Sequence, residues 1–315
     1  MAFKLDLVEV AHGLGFPEGP VAMNDGSVLF VDIEKETLVR LEPSGARHDV
    51  AEIPGGPNGV AIGPDGAAYV CNNGGVYCFK NAGPGGVNIP LPDPEHYTGG
   101  LIQRVDLTSG EVTPLYTECD SKRLLAPDDI VFDKAKGFWF TETGIQDDET
   151  LRKGGLYYAT TDGSSIVRMA TIPMANGVGL SPDGDTVFVS DTIFGRLWKM
   201  KIKRDSSGNP VGLDDGPIQG IMPGEVVQTL PGFQWLDSLK VEADGRVCVG
   251  TIFTGGITIF EMDGTTEHVD VPDIFTTNMC FGGEDMMDMW ITASSTGKIY
   301  KTRWPRPGLK LEFTA

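Results

Sequence analysis

One short unit recurs six times along this chain, and it limits the possible architectures more than any other feature. The unit is an Asn or a carboxylate, then an apolar strand, an acidic turn and a second apolar strand. Its copies begin at Glu18 (EGPVAMNDGSVLFVD), Asn58 (NGVAIGPDGAAYVCN), Asp128 (DDIVFDKAKGFWFTE), Asn176 (NGVGLSPDGDTVFVSD), Asp237 (DSLKVEADGRVCVGT) and Asn278 (NMCFGGEDMMDMWITA). In five copies an Asp lies seven residues after the first position, at Asp25, Asp65, Asp183, Asp244 and Asp285; the copy at Asp128 has Asp133-Lys134-Ala135-Lys136-Gly137 instead. The starts are 40, 70, 48, 61 and 41 residues apart. Dividing 315 residues by six gives about 52, the length of a four-stranded propeller blade. The pattern predicts an all-β fold, a single six-bladed β-propeller domain over residues 1–315 with a central metal-binding channel. Gly and Asp in the turns supply the positive φ that hairpin reversals need. Lys4 to Val10 alternates like a strand ahead of the first copy, so it is expected to close the last blade and hide sheet edges. The 70-residue spacing marks an insertion, read as a long loop over Asn81–Leu101.

Charge and cysteine usage narrow the function classes. Forty-four acidic against 25 basic residues give a formal charge of −19, which repels nucleic-acid phosphates and anionic membranes. No apolar run approaches the roughly 18 residues of a membrane span, and Met1 to Val10 lacks a secretory pattern, so a cytoplasmic protein is expected. Five scattered cysteines without CxxC spacing indicate neither a disulfide framework nor a thiolate metal site, and read as small core residues.

In a propeller the first strand of each blade lines the channel, which places Glu18, Asn58, Asp128, Asn176, Asp237 and Asn278 in a ring at one rim. All six carry side-chain oxygens. Three carboxylates in a narrow channel repel unless they protonate or a cation neutralises them. Oxygen-only ligation favours a hard cation, Ca²⁺ first, with Zn²⁺, Mn²⁺ and Mg²⁺ as alternatives. Turn chemistry alone accounts for Asn58-Gly59 and Asn176-Gly177 but not for Glu18 in Phe16-Pro17-Glu18-Gly19-Pro20 or for Asp237 after Gln234-Trp235-Leu236. Loops that enter first strands and leave second strands share the rim face. They supply pocket walls: Phe16, Met174, Phe233 and Trp235 from the former, Ile145, Ile193, Phe194, Ile252 and Phe253 from the latter. Asn58 and Asn278, the remaining amides of the ring, are assigned to substrate with these walls.

The chain resembles the senescence marker protein (regucalcin), gluconolactonase and luciferin-regenerating enzyme family. The motifs that carry the likeness are Pro17-Glu18-Gly19-Pro20, Pro127-Asp128-Asp129, Asn176-Gly177 followed by Ser181-Pro182-Asp183-Gly184, and Leu236-Asp237-Ser238. The resemblance implies a propeller that hydrolyses lactones with one divalent metal held by residues matching Glu18, Asn176 and Asp237. It makes Asp128 the candidate catalytic base, and Asp237-Ser238 matches the pattern of bacterial drug-responsive lactonases, in which the Ser adds a ligand. The scarcity of rim arginines other than Arg152 argues for a substrate more apolar than a sugar lactone. None of His12, His48, His96 and His268 belongs to a recognisable triad. Three other functions compete: phosphotriester hydrolysis on the same site, a metal-free or non-hydrolytic enzyme like the strictosidine-synthase-like propellers, against which Glu18, Asn176 and Asp237 argue, and a non-enzymatic propeller that binds protein through its rim.

Overall fold

The computed structural model describes residues 3–82, 87–147, 149–214, 216–218 and 222–314. Its strands form the six sheets of an all-β, six-bladed propeller. The turn of 3₁₀ helix at Ser294–Thr296 is the one helical element among the described residues, and no helix there is long and apolar enough to cross a membrane. Blade 1 runs outward from the channel through Pro17–Ala22, Val28–Asp32, Thr37–Leu41 and Arg47–Glu52. The inner strands of blades 2 to 6 are Pro57–Ile62, Pro127–Phe132, Ala175–Leu180, Trp235–Val241 and Thr276–Gly282, so every repeat start falls on an inner strand. Neighbouring blades cover both faces of each inner and second strand, so those strands are buried along almost their whole length. The outermost strand, as at Arg47–Glu52, is largely exposed and leaves only a faint sequence signal.

The acidic turns work as the repeat implies. Asp25 Oδ1 accepts the Ser27 N–H at 2.9 Å around Gly26 (φ 83°), and Asp183 Oδ1 accepts the Asp185 N–H at 3.0 Å around Gly184 (φ 78°). In blade 3 the same job passes to Asp133, which accepts the Ala135 N–H at 2.9 Å, with Lys136 in the left-handed region at φ 65°.

Two expectations are corrected in detail. Closure of blade 6 by the N-terminus holds, but pairing with Lys298–Arg303 starts at Val8 and covers Val8–Ala11. Ahead of it Leu5 is buried in the core, and Phe3 meets Trp304 edge-on with ring centroids 5.0 Å apart. The insertion, read as a loop over Asn81–Leu101, instead supplies the strand Asn88–Pro92, which pairs as a hairpin with Tyr77–Asn81 just ahead of it; residues 83–86 lie outside the described residues. Of the cysteines, Cys71, Cys119, Cys248 and Cys280 are buried and Cys78 is half-buried on this hairpin; all five are free.

Two devices set the height of the ring residues. Every inner strand carries a β-bulge at or beside its repeat start, between Glu18 and Val21 in blade 1 and between Leu236 and Leu239 in blade 5, for example. A bulge bends its strand and re-aims a side chain, here at the channel. Second-strand hydroxyls then fix the next blade: Thr141 Oγ1 donates to the Asn176 carbonyl, and Ser190 Oγ to the Asp237 carbonyl at 2.6 Å. Gly59 follows Asn58 because a Cβ there would meet the Asp128 carbonyl of the adjoining strand.

Candidate active site

Around the channel the six ring residues alternate: Glu18, Asp128 and Asp237 come from blades 1, 3 and 5, and Asn58, Asn176 and Asn278 from blades 2, 4 and 6. All six are buried. Each amide is joined to the carboxylate of the following blade. Asn278 Nδ2 donates to Glu18 Oε2 at 2.8 Å, Asn58 Nδ2 donates to Asp128 Oδ2 at 3.0 Å, and the Asn176 side chain hydrogen-bonds Asp237. A buried carboxylate needs such donors, because unpaired burial of its charge is costly.

The donors do not satisfy the site. Glu18 Oε1 and Asn176 Oδ1 are buried without a hydrogen-bond partner. Burial pushes all three carboxyls up from their ordinary range. Glu18 reaches about 7, against the nearby Thr277 hydroxyl and the Asn278 and Gly19 donors, which pull the other way. Burial raises Asp237, the charge of Glu18 adds to it, and the Ser238 N–H and Asn176 oppose. For Asp128, burial is followed by the charges of Asp237, Glu18 and Asp129, all in the same upward direction.

Such a set has the chemistry of a hard-cation site: two carboxylates and an amide oxygen, two of whose oxygens lack any protein donor. Among the described residues there is no cluster of three or more His, Cys, Asp or Glu able to hold a metal, so any cation here depends on the amide oxygen as well. Ser238 sits on the bulge after Asp237, buried against Gly177.

Below the ring the channel holds one cation of its own. Lys240 Nζ donates to Asn278 Oδ1 at 3.1 Å, to the Leu239 carbonyl at 2.9 Å and to Asp129 Oδ2 at 3.4 Å. Asp129 is thereby paired, which separates it from its sequence neighbour Asp128. Sequence reasoning missed Lys240, although a signal was present. Three residues after the repeat start the other copies have Val21, Ala61, Val131, Gly179 and Phe281.

The expected walls assemble in part. Phe16, Trp235, Phe233 and Phe253 belong to one chain of touching rings: Phe16 to Phe275 at 6.1 Å, Phe275 to Phe253 at 5.8 Å, then Phe253 to Trp235 at 5.1 Å and to Phe233 at 5.2 Å. Phe275 and Phe79, whose ring lies 5.0 Å from Phe16, were not foreseen; Phe79 sits on the strand Tyr77–Asn81, just ahead of the expected loop. Phe253 holds φ 75°, which turns it back toward its partners. Phe194 stands apart from these rings, about half exposed beneath the Arg196 guanidinium. Met174 and Ile252 are buried, and Ile145 and Ile193 are half-buried. The insertion also brings Tyr77 to the mouth, with Asp128 and Asp237 as charged neighbours and Thr143 beside its hydroxyl; burial first, then those charges, push its pKa up.

A separate cavity lies elsewhere. About 990 Å³ opens at the opposite end of the channel, between the strand-1 to strand-2 turns and the segment Leu309–Thr314, and Lys240 forms part of its lining. It contains none of the ring residues, whose chemistry, not cavity size, marks the rim as the site.

A six-bladed propeller with alternating carboxylates and amides at one rim is the class that these features define. Residues 16–295 match the SMP-30/Gluconolactonase/LRE-like region, and the chain belongs to that family. Similar curated proteins include Lactonase drp35 of Staphylococcus saprophyticus, 26% identical over 241 residues, with 76% of this chain and 61% of the relative covered. The match therefore spans less than two thirds of that relative's length. A gluconolactonase of Zymomonas mobilis is 24% identical over 310 residues, covering 90% of this chain and 78% of the relative. Among solved structures, a gluconolactonase from Xanthomonas campestris superposes with a TM-score of 0.73 at 20% identity, covering 96% of this chain and 90% of that one. A calcium-binding regucalcin from Agrobacterium tumefaciens gives 0.68 at 18% identity over 98% of both chains. At such identities the likeness establishes the fold.

Proposed function

We propose that this chain is a metal-dependent hydrolase that opens relatively apolar lactones at the channel rim. The observation that carries the reading is the pair of buried oxygens without partners, Glu18 Oε1 and Asn176 Oδ1, among three carboxyls that burial raises. Glu18, Asn176 and Asp237 would hold the cation, with Ser238 adding a hydroxyl, and their oxygens favour Ca²⁺. When bound, the ion supplies Lewis acidity toward a carbonyl oxygen.

The protein's own residues do the rest. Asp128, with one amide donor and every neighbouring charge raising its proton affinity, accepts a proton from the attacking water. The water oxygen adds to the carbonyl carbon, the acyl–oxygen bond of the ring breaks, and the ring oxygen takes up the proton held on Asp128. The product is a hydroxy acid. Asn58 and Asn278 keep the carboxylates oriented during the cycle, since their N–H groups are already committed to Asp128 and Glu18. The ring chain Phe16–Phe275–Phe253–Trp235–Phe233 offers apolar surface, worth about 0.8 kcal/mol per methylene buried against it. Sugar hydroxyls buried there without partners would each cost about 1–3 kcal/mol.

Membership of a family whose curated members include proteins named lactonase and gluconolactonase supports the reaction class. The test is a panel of aliphatic, aromatic and sugar lactones plus one phosphotriester, assayed after chelation and after return of Ca²⁺, Zn²⁺, Mn²⁺ or Mg²⁺. Metal-restored turnover with higher kcat/KM on an aromatic lactone is expected. A preference for gluconolactone would overturn the apolar assignment, and hydrolysis of the phosphotriester alone would overturn the lactone assignment.

A further inference from the structure

The hairpin of Tyr77–Asn81 and Asn88–Pro92 leaves blade 2, and its second strand packs on the Ser294–Thr296 turn of blade 6. It therefore lies across the rim of blade 1. Three contacts hold it down: Phe79 on Phe16, Ile89 on the same core cluster, and Asn88 Nδ2 donating to Glu34 Oε2 at 2.6 Å. Side chains two apart on a strand share a face. Tyr77 thus lies on the face of Phe79, turned to the mouth, where its charged neighbours are Asp128 and Asp237.

Opening a lactone leaves negative charge on the ring oxygen, and three carboxylates around it oppose that charge. The ring's own donors are already engaged: Asn58, Asn176 and Asn278 by carboxylates, and Lys240 by Asp129, Asn278 and the Leu239 carbonyl. A phenol stays protonated throughout the neutral range, so it remains a donor beside these anions. We infer that Tyr77 donates a hydrogen bond to the ring oxygen of the lactone as the acyl–oxygen bond breaks, a role that rests on the lactonase reading above. The bonding pair passes to the ring oxygen, the proton that neutralises it comes from Asp128, and Tyr77 keeps its own proton.

Such a donor matters most when the leaving oxygen is most basic. Tyr77→Phe should lower kcat roughly 10- to 100-fold on an aliphatic lactone, which expels an alkoxide, and by less than about threefold on dihydrocoumarin, which expels a phenoxide, with KM unchanged on both. Phe79→Ala, which loosens the hairpin without touching the hydroxyl, should lower both rates alike. Equal losses on the two substrates for Tyr77→Phe, no loss at all, or the same selective pattern from Phe79→Ala would overturn the role. The two layers separate cleanly. A wild-type protein that opens neither lactone brings down the lactonase reading and this role together, whereas an active wild type matched by Tyr77→Phe brings down only the role.

Discussion

Replacing Glu18 by Gln should stabilise the metal-free protein while weakening its response to Ca²⁺. Glu18 is 3% exposed, and burial raises its carboxyl from an ordinary 4.5 to about 7. The folded protein therefore binds this proton more tightly than the unfolded chain does. Stability from that difference is complete below pH about 4.5 and is lost as pH rises through about 7. At pH 8, an interval from 4.5 to about 7 at 1.36 kcal/mol per pH unit amounts to about 3 kcal/mol. Gln carries no charge, yet its carbonyl can still accept from Asn278 Nδ2 and the Gly19 N–H, the two donors that Glu18 Oε2 uses now.

Unfolding entropy of about 2.1 cal/mol/K per residue converts 3 kcal/mol in a chain of 315 residues into a Tm increase of roughly 5 °C. Calorimetric melts in chelator at pH 8 and pH 5, repeated with excess Ca²⁺, test this. The variant should melt higher at pH 8 without metal, the gap should close toward pH 5, and Ca²⁺ should reverse the order because only the wild type offers the anion. A variant that melts below wild type in chelator at pH 8, or that gains as much from Ca²⁺, would refute the reasoning.

Three further outcomes follow from the same geometry. Asp128→Asn can still accept from Asn58 but cannot take a proton, so kcat should drop about 10²- to 10⁴-fold while Ca²⁺ still raises Tm; unchanged turnover in steady-state kinetics would move the base elsewhere. Lys240→Met leaves Asp129 buried without its counter-ion and should cost about 3–5 kcal/mol in denaturant unfolding, most of it recovered when Asp129→Asn is added. Gly59→Ala drives a methyl into the Asp128 carbonyl and should lose about 1–3 kcal/mol together with activity, whereas Gly212→Ala, with open space at its Cβ, should be near wild type.

The parts of this molecule that repeat were legible, and the parts that occur once were not. Aligning six copies places Glu18, Asn58, Asp128, Asn176, Asp237 and Asn278 at equivalent heights, because buried inner strands and Asp-anchored turns impose the same residue types each time. The convergence of Phe16, Phe233, Trp235 and Phe253, whose loops share the rim face, was readable, but not that of Phe79, because the Gly- and Pro-rich segment after it gave no sign of pairing back as a hairpin. Phe194 has the right loop and the wrong direction, which sequence position does not encode. Lys240 stood out by its charge at an apolar repeat position, but its partner did not. Its reach across the channel to Asp129 depends on the bulge at Asp237, and a bulge of one residue leaves no mark in the apolar pattern.

In the proposed chemistry, the threefold pattern of the ring divides into one metal site and one base. Locally the three amide–carboxylate pairs are alike, but their second oxygens are not. Asn278 Oδ1 accepts from the Met279 N–H at 2.8 Å and from Lys240 at 3.1 Å, so it has little left for a cation. Asn176 Oδ1 has no partner, and across the channel neither does Glu18 Oε1. Asp237 is steadied on one side by the Ser238 N–H at 3.0 Å. Asp128 receives the single Asn58 donor, while Asp129 beside it is turned away to Lys240. In the proposed chemistry, the carboxylates fixed by their own following N–H, Glu18 and Asp237, serve as ligands, and the one without that support, Asp128, whose neighbouring charges all raise its pKa, serves as the base. Converting Asn278 to Asp would therefore not create a fourth ligand: Lys240 already claims that oxygen, and a carboxylate there would be drawn to the ammonium below the ring and away from Glu18, whose amide donor it would also remove.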